Sequence, residues 1–98
     1  MEILRAQYES GIDLANKTLI GLVAGDAVVS SATSSVNGTI AGSLTINASS
    51  EVELNGMILG DVINHGTLNI RGVIHGKLIN MPGAKYEIAI GALVKEIL

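Results

Sequence analysis

His65 and His75 are the chain's two imidazoles, the side chains best suited to metal ligation or proton transfer near neutral pH. Their setting supports neither role. They fall at different positions of the local sequence pattern, no cysteine accompanies them, and no tight cluster of Asp or Glu stands beside either, whereas a zinc centre needs three or four converging ligands. The hydroxyl-rich run "SSATSS" at residues 30–35 offers no serine a neighbouring base to activate it. Paired glycines such as those of "GMILGDVIN" and "GVIHGKLIN" are not followed by the Gly-Lys-Ser/Thr that cradles a phosphate at the start of a helix. The sequence therefore predicts no catalytic residue, no cofactor, no metal and no enzymatic activity.

What the glycines do is repeat. Residues 21–29 read "GLVAGDAVV" and residues 38–46 "GTIAGSLTI"; "GMILGDVIN" begins at Gly56 and "GVIHGKLIN" at Gly72. Each copy follows Gly-x-aliphatic-x-Gly-x-aliphatic, and the intervals between first glycines, from Gly21 to Gly38, Gly56 and Gly72, are 17, 18 and 16. Self-similarity at a nearly fixed period marks a repeat architecture.

Within each copy the aliphatic residues alternate. Two residues before the first glycine stand Leu19, Val36, Leu54 and Ile70, and two after it Val23, Ile40, Ile58 and Ile74. Six after it stand Ala27, Leu44, Val62 and Leu78. A period of two is strand periodicity. The second glycines, Gly25, Gly42, Gly60 and Gly76, interrupt the alternation where a bend or a close backbone approach is required.

A repeat unit this short is insufficient for a strand-helix repeat and sufficient for one turn of a parallel β-solenoid. Equivalent aliphatics then lie about 4.8 Å apart in successive coils and form ladders through a narrow interior. The reading is an all-β, single-domain, right-handed parallel β-helix of about five coils, the last of them the degenerate "YEIAIGALV" at 86–94. Residues 1–15 are expected to form an N-terminal cap or flank, and residues 16–98 the β-helix with a C-terminal cap. Length variation is assigned to one corner, in "NASS" at 47–50, "NHG" at 64–66 and "NMPGA" at 80–84.

Composition agrees with thin, layered packing. The chain has 98 residues, 48% of them hydrophobic, with no Phe or Trp and two Tyr. Six basic and nine acidic residues give a net charge of −3, which argues against nucleic acid as a partner because phosphate binding needs clustered Lys or Arg. "MEILRAQY" carries a single Arg beside a Glu, too weak for electrostatic attachment, so membrane association is not expected. The longest apolar run, "LIGLVAGDAVV", is broken by Asp26 and is too short to span a bilayer. With no secretory leader read at the N-terminus, the expected location is the cytoplasm.

In "VNGTIAGSLTI", "ELNGMILGDVI" and "NIRGVIHGKLI" the chain resembles the bactofilin family, bacterial cytoskeletal proteins that form polymers. The resemblance covers residues 19 to about 80. It implies a right-handed β-helix and a structural protein that associates with itself into oligomers or filaments. The alternative reading from the residues is a non-enzymatic interaction protein, such as an immunity protein or antitoxin that occludes a toxin from the same scaffold.

Two surfaces are candidates for association. Alternation turns Leu22, Met57, Leu59, Val73, Val28, Ile63 and Ile79 outward, an apolar strip available to a protein partner; equally, Ile3, Leu4, Tyr8, Ile12 and Leu14 could fold back over it. The other candidate is the end of the stack, where unpaired strand edges template another chain. Its contacts are expected from Ile88, Ile90, Leu93, Val94 and Ile97, in a segment that reads as either a last strand or a short amphipathic cap. Asn64 and Asn80 occupy equivalent positions and are expected to hydrogen-bond along the stack. Asp61 over Lys77 is expected to form an ion pair.

Overall fold

The alternating aliphatics form strands, and the strands stack. The structure, a computed structural model, describes residues 2–30 and 32–98, and among them there is no helix. Coil one holds β1 (Glu2–Leu4), β2 (Gln7–Tyr8) and β3 (Ile12–Asp13), and coil two holds β4 (Lys17–Leu19), β5 (Leu22–Val23) and β6 (Ala27–Val29). Coil three holds β7 (Thr33–Val36), β8 (Thr39–Ile40) and β9 (Leu44–Ile46); coil four holds β10 (Glu51–Leu54), β11 (Met57–Ile58) and β12 (Val62–Asn64). In coil five β13 (Thr67–Ile70) is followed by one long strand, β14 (Val73–Asn80), and coil six closes the stack with β15 (Lys85–Ile88) and β16 (Leu93–Ile97).

Each strand pairs in parallel with its equivalent one coil away, giving a β-solenoid. The first ladder runs β1-β4-β7-β10-β13-β15. The second and third ladders are separate along most of the stack and merge at β14, which pairs with both β11 and β12. From coil one to coil five the register advances along the sequence in steps of 15, 17, 18 and 16. The second ladder repeats those steps, and so does the third. Through coil five a step that is constant within a coil confines every insertion to the corner between the third strand and the next coil, the corner that "NASS" and "NHG" occupy; the step into coil six, after "NMPGA", is not constant, rising from 18 at Ile88 to 20 at Leu93.

All twelve aliphatics assigned to the inward columns are buried, from Leu19 and Val23 to Ile74 and Leu78. Full burial of such a side chain stabilises by about 1.5–3 kcal/mol. The core is wholly Leu, Ile, Val and Ala. Among the described residues three buried polar side chains join it, each satisfied: the Ser34 hydroxyl donates to the Lys17 carbonyl at 3.1 Å, the Ser50 hydroxyl to the Val29 carbonyl at 3.1 Å, and Asn64 bonds to its neighbours in the stack.

The first-glycine column explains its own composition. A Cβ at Gly38 would fall on the carbonyl oxygen of Gly21, one at Gly56 on that of Gly38, and one at Gly72 on that of Gly56. Successive backbones stack directly at this corner, so no side chain fits.

The stack has six coils, close to the five expected, and the additional one lies at the N-terminus. Here one expectation is corrected: residues 2–14 do not fold back over an outer face. They form coil one, with Leu4 opposite Leu19 and Tyr8 opposite Val23. Leu4 and Leu14 are buried there as the first rung of the core, a deeper burial than an outer face provides. Coil one escapes the glycine pattern because Ala6 and Ser10 stand where later coils have their two glycines.

Candidate interaction surface

The two ends of the solenoid differ. At the first coil Leu4 and Leu14 are buried, and Tyr8 and Ile12 pack partly buried against the core. Tyr8 turns back so that its hydroxyl accepts the Ala6 N–H at 3.4 Å. At the sixth coil no described residue covers the equivalent columns. Of the nine exposed large hydrophobics among the described residues, six lie there, namely Tyr86, Ile88, Ile90, Leu93, Ile97 and Leu98.

The register accounts for four of them, Ile88, Ile90, Leu93 and Ile97. Ile88 stands opposite Ile70, Val94 opposite Ile74 and Ile97 opposite Leu78, so these three continue inward columns of the core, with Ile88 and Ile97 exposed and Val94 half-buried above it. Val94 keeps contact with the core. Ile90 and Leu93 are exposed differently. The step from coil five to coil six is 18 from Ile70 to Ile88 but 20 from Val73 to Leu93. The two extra residues bulge at Ala89–Gly91, where Gly91 has φ +91° and Ile90 is 107% exposed. Leu93 lies outward above Val73, 63% exposed. The five residues expected at the end therefore share coil six, with Ile88, Val94 and Ile97 on its open core and Ile90 and Leu93 on its rim. The terminal segment that reads as strand or amphipathic cap is a strand, β16.

The outward strip is two columns. Leu22, Met57 and Val73 line the second ladder with Thr39 among them, half-buried by their neighbours, and Leu59 lies exposed beside them. Val28, Ile63 and Ile79 line the third ladder with Thr45 among them. Between the two columns runs a polar line.

That line is a chain of hydrogen bonds at the second-glycine corner. Ser10 Oγ accepts the Asp26 N–H at 3.1 Å, Asp26 Oδ1 the Ser43 N–H at 2.8 Å, Ser43 Oγ the Asp61 N–H at 3.2 Å, and Asp61 Oδ1 the Lys77 N–H at 2.7 Å. Each side chain caps a backbone donor that the bend turns away from the ladder. The expected Asp61–Lys77 ion pair is absent among the described residues, whose two ion pairs are Lys17–Glu2 and Arg71–Glu53, because the carboxylate takes the backbone N–H instead. The line ends at Lys77, whose side chain has no acceptor to offer. Above it coil six is one residue shorter, and the step falls from 20 at Leu93 to 19 at Ile97. The signal is present in the sequence as Gly-Asp, Gly-Ser and Gly-Asp at the equivalent positions of three coils.

The remaining candidates do not converge. His65 lies in the corner between β12 and β13 and His75 within β14, both exposed, and no three His, Cys, Asp or Glu residues cluster among the described residues. Ser31 of the hydroxyl-rich run lies outside the described residues. No helix of the described residues is long and apolar enough to cross a membrane.

The fold and its open end define a parallel β-solenoid with one uncovered apolar terminus. Comparison with family models, curated proteins and solved structures finds no match for this chain.

Proposed function

We propose that the protein is a bactofilin-like structural protein, without catalytic activity, that associates with itself through the last coil of its solenoid. The observation that carries this reading is the concentration of exposed large hydrophobics in coil six, above a core that is otherwise buried. The edges of β15 and β16 add backbone donors and acceptors that only water or another strand satisfies. A second solenoid end supplies both an apolar lid and strand partners, whereas a membrane leaves the strand edges unsatisfied. Light scattering and negative-stain microscopy over a concentration series test the reading. Particles of two or more chains at tens of micromolar are expected, and a single-chain mass at every concentration overturns it.

A further inference from the structure

The segment "LVKEIL" at 93–98 is a palindrome in chemistry: apolar, apolar, charged, oppositely charged, apolar, apolar. We infer that β16 pairs antiparallel with β16 of a second copy about a two-fold axis between Lys95 and Glu96, closing the assembly at two chains. This rests on the proposed self-association and specifies its contact.

Three independent features of the strand agree with that axis. The first is charge. The axis sets Lys95 opposite Glu96 of the second copy, twice by symmetry, and opposite charges directly across a strand pair attract. The second is facing. Val94 and Ile97 both continue inward columns, while Leu93 lies outward above Val73 and Leu98 is exposed beyond Ile97. The pairings of Val94 with Ile97 and of Leu93 with Leu98 therefore join core to core and surface to surface. An axis displaced by one residue sets like against unlike.

The third is hydrogen bonding. Leu93 N–H donates to the Gly72 carbonyl at 3.1 Å, and Leu98 donates to the Leu78 carbonyl at 2.8 Å while accepting from Asn80 at 3.3 Å. Both residues thus turn their backbone groups toward coil five. Alternation turns those of Val94 and Ile97 to the free edge, and the same axis places these two residues opposite one another, where an antiparallel pair exchanges both hydrogen bonds. The one-residue register shift between Ile74 and Lys77 is what makes this possible. Without it Val94 and Ile97, three apart, would face opposite sides of the strand.

Closure follows from the difference between the ends. A two-fold contact uses the same surface of both copies and leaves no free copy of it. The other terminus presents coil one with Leu4 and Leu14 buried and Tyr8 and Ile12 packed partly buried against the core, so among the described residues it offers no apolar surface equivalent to that of coil six.

Sedimentation equilibrium of the wild type, Lys95→Glu, Glu96→Lys and an equimolar mixture of the two variants tests the pairing. Lys95 and Glu96 are exposed, so both variants are expected to keep the fold, which circular dichroism checks. The wild type is expected to be a dimer. Each single variant sets like charges opposite one another twice and is expected to raise the dimer dissociation constant roughly tenfold or more. In the mixture, a Lys95→Glu chain carries acidic side chains at both central positions and a Glu96→Lys chain basic ones at both. A dimer of one chain of each kind is therefore fully complementary, so the mixture is expected to recover dimers of mixed composition. A wild type that assembles but is indifferent to both charge reversals overturns this pairing while self-association stands, and species larger than two chains overturn closure. A wild type that is monomeric throughout overturns both.

Discussion

Asn64 and Asn80 meet across one coil, with Asn64 Nδ2 donating to Asn80 Oδ1 at 2.9 Å. Asn64 Nδ2 also donates to the Lys85 carbonyl at 2.7 Å, and its Oδ1 accepts the Gly66 N–H at 3.0 Å. Asn80 in turn donates to the Ala84 carbonyl at 3.0 Å. The column that begins with Val29 and Ile46 thus becomes polar in coils four and five, where the corner to the next coil needs side-chain partners.

Asn64→Ala removes a fully buried amide and leaves the Gly66 N–H and the Lys85 carbonyl, both in part-buried hydrogen bonds, without these partners. Leaving such groups unpaired costs up to about 1–3 kcal/mol for a buried one and less where water reaches, so we expect a total loss of roughly 1–3 kcal/mol in urea unfolding. Asn80→Ala, at a half-buried position, is expected to cost clearly less. Equal losses would show that burial is not what makes the inner amide important.

Two glycines separate close approach from backbone conformation. Gly56 has no room for a Cβ against the Gly38 carbonyl, whereas Gly83 has φ +86° and open space around it. Gly56→Ala must push two coils apart and is expected to cost more than about 3 kcal/mol or to prevent folding. Gly83→Ala carries only the left-handed backbone penalty of about 1–2 kcal/mol. Thermal melts of the two variants make the comparison, and a milder effect at Gly56 would contradict direct stacking of the backbones.

These cases show how far the sequence reaches. Inward columns are legible because Leu19 to Ile70 and their counterparts obey two periods at once, one along the strand and one between coils. Coil one is not, since Ala6 and Ser10 replace its glycines and only Leu4, Tyr8, Ile12 and Leu14 keep the alternation. The hydrogen-bonded corner from Ser10 to Lys77 is easily misread at Asp61, where charge draws attention to a side-chain pair although the nearest donor is backbone. At the far end, apolar content locates the candidate surface, but which residues face the open core depends on the two-residue bulge at Ile90, and periodicity carries no information about an irregularity that occurs once.

One column measures the difference between the interior and the open end. Leu54 is completely buried, and Ile88, two coils above it, is 38% exposed. Leu54→Ala is expected to destabilise by about 2–5 kcal/mol through the cavity it leaves. Ile88→Ala, measured at a concentration low enough to keep the protein monomeric, is expected to cost about 1 kcal/mol or less. Comparable losses would mean that the last coil is covered in solution.

Asp13 supplies a pH dependence. Burial raises its pKa, but hydrogen bonds from the Ser30 hydroxyl and from the Ala15 and Ser30 N–H groups, with Lys17 nearby, outweigh burial and hold it below its usual 3.8. A carboxyl depressed by folding contributes stability that is complete above its unfolded pKa and is lost as pH falls through that value toward the folded one. The wild type is therefore expected to be more stable than Asp13→Asn at pH 6, with the difference shrinking by pH 3. Urea midpoints at the two pH values check this, and a constant difference would mean that ionisation of Asp13 contributes nothing.

Ile97 and Ile90 distinguish the strand edge from the rim. Ile97 sits on β16 above Leu78, in the proposed pairing opposite Val94 of a second copy, whereas Ile90 projects from the bulge beside the edge. Both are already exposed in the single chain, so a lysine at either position is expected to leave monomer stability within about 1 kcal/mol. Association should separate them. Ile97→Lys forces an ammonium into a desolvated contact and is expected to weaken dimers by about a hundredfold or more, while Ile90→Lys is expected to leave them within a few fold of wild type. Sedimentation equilibrium reads both, and the reverse order of effects would move the contact from the edge of β16 to the protruding corner.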